Sequence, residues 1–237
     1  MTIGAGEFEA LWLTLRLATV TTLVLFVVGV PLAWKLCRWQ SRWRHSVEIL
    51  ITLPLVLPPT VLGFYLLLLF SPNFALGGWI AETLGQPLVF SFAGLVVASV
   101  ISSLPFMVQP LMASFSQNGS RLATAALSLG MPPVVAVLRV VLPASRTAIV
   151  SACALTFAHT MGEFGVVLMI GGAIPGETEV VSIALFQHVE VANYGAANRL
   201  ALVLIIVTTG LLLLARWLGA AKSSSSTEAR TLGVANT

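Results

Sequence analysis

Charge is scarce in this sequence. Of its 237 residues, 9% are Asp, Glu, Lys or Arg, against about 25% in a soluble domain. So few charges cannot solvate a globular surface, so most of the surface must face lipid or other apolar helices. Lysine is nearly missing: Lys35 and Lys222 are the only two. Neither belongs to a Gly-x-x-x-x-Gly-Lys-Ser/Thr run, so the chain cannot cradle ATP phosphates by that route. Cysteine is limited to Cys37 and Cys153. No Cys-x-x-Cys or Cys/His metal spacing exists, and both cysteines read as structural filler. The three histidines are scattered, and no Ser/His/Asp or Cys/His set is arranged for catalysis. The expectation is a chain with no catalytic residue, no metal and no cofactor of its own. The net charge of +3 comes from basic residues in short loops rather than one patch, which argues against nucleic acid.

What is abundant is apolar length. Hydrophobic residues make up 57% of the chain and the mean hydropathy is +0.97. Divided at about 20 residues per crossing, the sequence yields five spans. They are Leu11–Leu36, Ile49–Phe70, Val89–Phe115, Ala148–Gly171 and Arg199–Leu218. A sixth, shorter span could hide after Gly165. Glu7 and Glu9 stand where a signal peptide would carry basic residues, so the first span is expected to be retained. The second span holds Leu53-Pro-Leu-Val-Leu-Pro-Pro59, whose three prolines should break it. Pro105 and Pro110 should interrupt the third. Ser71–Pro87 reads as an outside loop with a short interfacial helix around Trp79, and Gly172–Asn198 as a polar loop.

The positive-inside rule orients this arrangement. With the N-terminus outside, the inner loops receive Lys35, Arg38, Arg42, Arg44, Arg121, Arg139, Arg146, Arg216, Lys222 and Arg230. Only Arg16 and Arg199 remain outside, at span ends where they can snorkel. The expected domains are an extracytoplasmic segment 1–10, a transmembrane domain 11–218 and a disordered cytoplasmic tail 219–237.

Between the third and fourth spans lies a loop, 118–147, that is too broken to cross. Leu122, Ala125, Ala126 and Leu129 share one helical face. Asn118 or Ser120 can cap the start. Gly130 suits a left-handed cap, and Pro132 and Pro133 stop the helix. Val134–Val141 suits a second short helix closed by Pro143. Such a helix–turn–helix on the cytoplasmic face is either a connector or a handle for a soluble partner.

The loop resembles the signature loop of ABC-importer permeases: Glu-Ala-Ala, three residues, Gly, nine residues, Ile, one residue, Leu-Pro. Thr124-Ala125-Ala126, Gly130, Val140, Leu142 and Pro143 stand at that spacing. Thr124 replaces the acidic residue and Val140 the isoleucine. Leu53–Pro59, Gly162–Gly165 and Ile174–Thr178 resemble segments of the molybdate branch, kin to the sulfate permeases. The likeness runs from Leu11 to Leu218. It implies an all-α integral membrane protein of type I importer permease fold, with five or six transmembrane helices and a cytoplasmic coupling helix. It further implies a homodimer in the inner membrane, two ATP-binding subunits that hold ATP-Mg, and an extracytoplasmic molybdate-binding protein. Tungstate, sulfate and thiosulfate are alternative cargoes. An ion-coupled secondary transporter and a non-transporting scaffold are alternative classes.

For the ion path, the candidates are Pro58, Pro59 and Thr60 at the double proline, Ser102 and Ser103 on the third span, and Thr160 and Glu163 on the fourth. Ser99 and Thr156 are further hydroxyls of the same kind. A charge at Glu163 costs about 2.5–3.5 kcal/mol in an apolar span. It is either a pathway residue or a structural carboxylate bonded to backbone donors at a helix break. His159, four residues earlier, is placed to pair with it.

Overall fold

The computed structural model describes residues 4–220. Most of the expected tail lies outside the described residues, but Gly219 and Ala220 end the last helix. Helix α1 (Ala5–Arg38) has 34 residues. At 1.5 Å per residue it is about 51 Å long, well beyond the ~30 Å hydrocarbon layer. It therefore starts before the expected Leu11, and part of it projects from the bilayer.

The second span breaks where proline chemistry requires. A residue before proline avoids the helical region. Leu57 precedes Pro58 and Pro58 precedes Pro59, and both are extended, with ψ of 139° and 132°. The chain stops as α2 (Arg44–Val56) and restarts as α3 (Pro59–Phe70), turned by 112°. Single prolines do not have this effect. Pro54 stays inside α2, and Pro105 and Pro110 stay inside α5 (Phe92–Ser114). The expected interruption of the third span is therefore corrected: an isolated proline in a packed helix bends it, and neighbours cover the freed carbonyl. Between α3 and α5 lies the short helix around Trp79, α4 (Ala75–Leu84).

The loop does not start at a cap. Asn118 and Ser120 cap nothing, because α5 passes through a π turn at Phe115–Gly119 straight into α6 (Ser120–Ser128). Together they form a 37-residue rod, Phe92–Ser128. After the turn at Gly130 come α7 (Pro133–Ala136), a second π turn at Val137–Val141 and α8 (Leu142–Ala144). Pro143 does not close this segment. It brings no N–H to Arg139, and the π turn absorbs the lost bond by joining Leu142 N–H to Val137 O. The chain then bends by 74° into α9 (Arg146–Gly162).

The fourth span is not continuous to Gly171. It breaks at Glu163–Phe164 and resumes as α10 (Gly165–Gly171). The region read as a polar loop contains α11 (Val181–Glu190), with Val181, Ile183 and Ala184 buried. The final helix, α12 (Tyr194–Ala220), begins five residues before Arg199. Among the described residues, three helices are long and apolar enough to cross a membrane, or five if each bent pair counts as one span.

Among the described residues, two large apolar clusters and a smaller one of Ala10, Val181, Ala184 and Leu200 fill the bundle. Toward the N-terminal end of α1, Leu13, Leu17, Leu66, Leu95, Val166 and Ile170 pack together. Toward the loop, Leu25, Leu36, Met107, Leu111 and Phe115 pack with Ala123 of α6 and Val141. The loop is thus an extension of the core. Val27, Val28, Ile205, Ile206 and Leu213 are exposed along helix flanks, as lipid-facing side chains are.

Candidate functional site

The loop ends α6 with a Schellman turn. Gly130 sits at φ +82°, a region that costs an L side chain energy. Its N–H donates to Leu127 O at 2.9 Å, and Met131 N–H donates to Ala126 O at 3.1 Å. Leu122, Ala125 and Leu129 point outward, Leu129 with 84% exposure. Ala126 does not share that face. It is 5% exposed and turns inward with Ala123, because i, i+3 neighbours on this short helix pack onto the core. Thr124 is exposed, but its hydroxyl donates back to Ser120 O at 2.9 Å. Val140 and Leu142 are half-buried and Pro143 is exposed. Periodicity did not identify the rest of the tip: Met131, Val134 and Leu138 are exposed apolar residues beside exposed Arg121 and Arg139.

A second site forms where the two helix breaks meet. Gly165 opens α10 directly against the double proline. A Cβ there would lie 2.8 Å from Pro59 Cβ and 3.1 Å from Thr60 N. One turn into α3, Gly63 is equally tight against Val166 and Met169. Glu163 sits at the α9–α10 break, 6% exposed. Its Oε1 accepts from Val166 N–H at 3.4 Å, capping α10. Its Oε2 lies 3.5 Å from His159 Nε2. Its backbone carbonyl accepts from Ser182 Oγ of α11 at 2.6 Å. His159 stacks on Phe106 at 4.1 Å, and its Nδ1 is 2.9 Å from Ser103 Oγ. Ser103 Oγ is also 3.0 Å from Thr160 Oγ1, which donates to Thr156 O.

Of the seven path candidates, Ser102, Ser103, Thr160 and Glu163 are buried within the protomer, while Pro58, Pro59 and Thr60 are exposed at the break. Ser102 Oγ donates to Ser99 O at 3.3 Å. The hydroxyls of Ser99 and Thr156 are buried with no partner among the described residues. If Glu163 is the cap that holds α10, Glu163→Ala should lower the thermal midpoint of the purified protein. Glu163→Gln, whose amide oxygen still accepts the Val166 N–H, should recover most of the loss. An unchanged midpoint for Glu163→Ala would contradict that role.

At the N-terminal end, Glu7 joins three helices. It accepts from Gly4 N–H at 2.9 Å and from Arg199 Nη2 at 3.0 Å, and His188 Nε2 lies 3.7 Å away. Arg199 therefore pairs within the protein instead of snorkelling at a span end. Thr14 Oγ1 accepts from Val181 N–H at 2.8 Å, tying α11 to α1. Burial pushes the Glu179 carboxyl above its usual range, and the nearby His188 opposes that shift. A cleft of about 660 Å³ opens between α1, the start of α5 and the 172–180 loop.

Residues 26–223 match the family described as binding-protein-dependent transport system inner membrane component. The chain is 48% identical over 202 residues to the molybdenum transport system permease protein ModB of Azotobacter vinelandii, covering 85% of this chain and 89% of that one. It is 35% identical over 201 residues to the sulfate transport system permease protein CysT of Escherichia coli strain K12, covering 85% and 72%. The ModB protein of Mycobacterium tuberculosis is 35% identical over 198 residues, with 84% and 74% covered. Among solved structures, a bacterial ABC transporter involved in the import of the acidic polysaccharide alginate superposes with a TM-score of 0.75. That match has 16% identity and covers 92% of this chain and 80% of that one, a likeness of fold.

Proposed function

The chain belongs to the binding-protein-dependent transport system inner membrane components, and from that premise we propose that it is the molybdate-carrying permease of its importer. The observation that carries the cargo is the 48% identity to the Azotobacter molybdenum permease across 89% of its length. The sulfate permeases are more distant at 35% or below. Tungstate, close to molybdate in size and charge, is expected to share the path.

Two copies of the chain enclose the path, and their exposed α2–α3 breaks face each other across it. The N-terminus lies outside and the C-terminus in the cytoplasm, following the distribution of Lys and Arg. The loop tip, Leu122–Leu138, then lies on the cytoplasmic side and docks into one of two partner ATPase subunits. Docking rests on shape and apolar contact, since the Thr124 hydroxyl is held by its own helix. ATP-driven closure of the ATPases pushes the tip. The push travels along α9 to the break at Glu163 and turns the cavity outward. A loaded binding protein releases its ion there, and hydrolysis resets the pore. This is alternating access by a two-state element biased from both faces.

The ion meets the exposed Thr60 hydroxyl and the half-buried His159 ring, not a high-affinity cage, because release requires weak sites. Glu163, a carboxylate, would repel a dianion, so its role is to hold the break and orient His159. A secondary transporter would need paired intramembrane charges, whereas among the described residues Glu163 is the one buried carboxylate at the breaks.

The test is reconstitution with the ATPase subunits and binding protein in proteoliposomes. ATP-dependent uptake of labelled molybdate is expected, competed by tungstate and only weakly by sulfate. Uptake without the ATPase would overturn the importer reading, and stronger competition by sulfate would overturn the cargo.

A further inference from the structure

The 660 Å³ cleft at the N-terminal end has no part in the path described above. Among the residues lining it are Arg16, Gln86, Phe90, Phe92, Gly176 and Glu177. Counted back from Arg38, a ~30 Å crossing takes about 20 residues and ends near Ala18. Arg16 thus stands just beyond the hydrocarbon, at the mouth of the cleft. Its guanidinium lies 4.3 Å over the Phe92 ring. Among the described residues neither the Arg16 nor the Glu177 side chain has a hydrogen-bond or ion-pair partner. One unpaired base and one unpaired acid therefore face a single cleft.

The walls of the cleft are held rigidly. Phe90 takes φ +60° and its N–H donates to Ile170 O at 2.8 Å. Ile174 O accepts from the N–H groups of Glu177, Thr178 and Glu179 at 3.1, 2.9 and 3.0 Å. The fully buried Thr178 donates to Gly171 O at 2.6 Å and accepts from Ile174 N–H at 2.9 Å. Positive φ at Phe90 and Ala173 is a conformation that persists only where its surroundings fix it. A surface fixed in advance loses little freedom on binding.

We propose that this cleft receives a surface segment of the extracytoplasmic binding protein, with a carboxylate of that segment on Arg16 and a basic or amide group on Glu177. The proposal rests on the function and orientation given above. A protein segment fits better than the free oxyanion, because Glu177 repels a dianion and a single small ion leaves most of the cleft empty.

The experiment uses the permease–ATPase complex in lipid nanodiscs. ATPase rate is measured against the concentration of molybdate-loaded binding protein. Arg16→Glu should raise the half-saturating concentration about tenfold, with the saturated rate within about twofold of the parent, as rim charges act. Added salt should raise half-saturation for the parent more than for Arg16→Ala. Glu177→Arg, at an exposed loop tip, should shift half-saturation without touching α1, and serves if Arg16→Glu fails to assemble. Unchanged half-saturation in both variants would overturn the docking site. So would a fall in the saturated rate alone, which would place the cleft in ion passage. If the parent complex is not stimulated by the binding protein, the proposed function itself fails, and that result is visible before any variant is made.

Discussion

Replacing Gly165 with valine is expected to abolish uptake and lower the thermal midpoint of the purified complex. The two helix breaks touch at this residue. A Cβ would meet Pro59 Cβ at 2.8 Å, Thr60 N at 3.1 Å and Pro59 C at 3.2 Å. None of these is the free end of a flexible side chain, so relief requires moving backbone. Pro59 cannot easily move, because its ring fixes φ and the preceding residues are already extended to accommodate two prolines. Overpacking of this kind costs about 1–3 kcal/mol in a well-packed core. The functional loss should exceed the stability loss, because α3 carries the exposed Thr60 and α10 carries the cap made by Glu163. Pushing them apart displaces both sides of the proposed path. Gly165→Ala should be intermediate. Gly162→Ala is the control: three residues away, its Cβ would meet nothing within 4 Å. Uptake and thermal unfolding of the three variants decide the matter, and full uptake by Gly165→Val would show that the joint is not needed.

The parts of this fold legible in the sequence are those set by a single strong term. A bilayer demands apolar length, so the long runs of α1, α5 and α12 were visible as composition. Two consecutive prolines forbid helix at two consecutive residues, so the break before Pro59 was visible as chemistry. The break at Glu163 has no such marker. It is made by a carboxylate capping the helix that follows, and in sequence that carboxylate is only a charge inside an apolar run. Its pairing with His159 at four residues' spacing was readable, but its bonds to α10 and α11 were not. Ala126 shows the limit of periodicity on a short helix. The same i, i+3, i+4 pattern fits an outward or an inward face, and only packing against the core decides. The Glu7–Arg199 pair spans 192 residues, beyond any local pattern, so Arg199 read as a snorkelling side chain. Helix α11 was hidden because Glu179, His188 and Glu190 make its surroundings look polar while Val181 and Ile183 are fully buried.

Gly130→Pro is expected to leave membrane insertion and helix content intact while reducing uptake at least tenfold. At φ +82° the position is closed to proline, whose ring holds φ near −65°. The substitution also removes the N–H that donates to Leu127 O and disturbs the Met131 bond to Ala126 O. Both bonds of the turn therefore fail together. The damage should stay local, since α6 is held to the core by Ala123 and Gly119 packs on Val141 at the base of the loop. What moves is the tip, from Leu129 to Val134, and with it the proposed ATPase contact. The expected signature is uncoupling: ATP hydrolysis by the assembled complex persists but no longer responds to the loaded binding protein. Gly130→Ala supplies the graded comparison. An L residue in the left-handed region costs about 1–2 kcal/mol but keeps the N–H, so partial uptake should remain. Ala126→Phe should behave differently, because Ala126 faces the core rather than the partner. It should lower the thermal midpoint first, and uptake only as far as the fold is lost. If Gly130→Pro transports normally, the loop does not couple the permease to its ATPase, and the push must enter through another inner segment, of which the basic stretch Arg38–Arg44 is the nearest to α2.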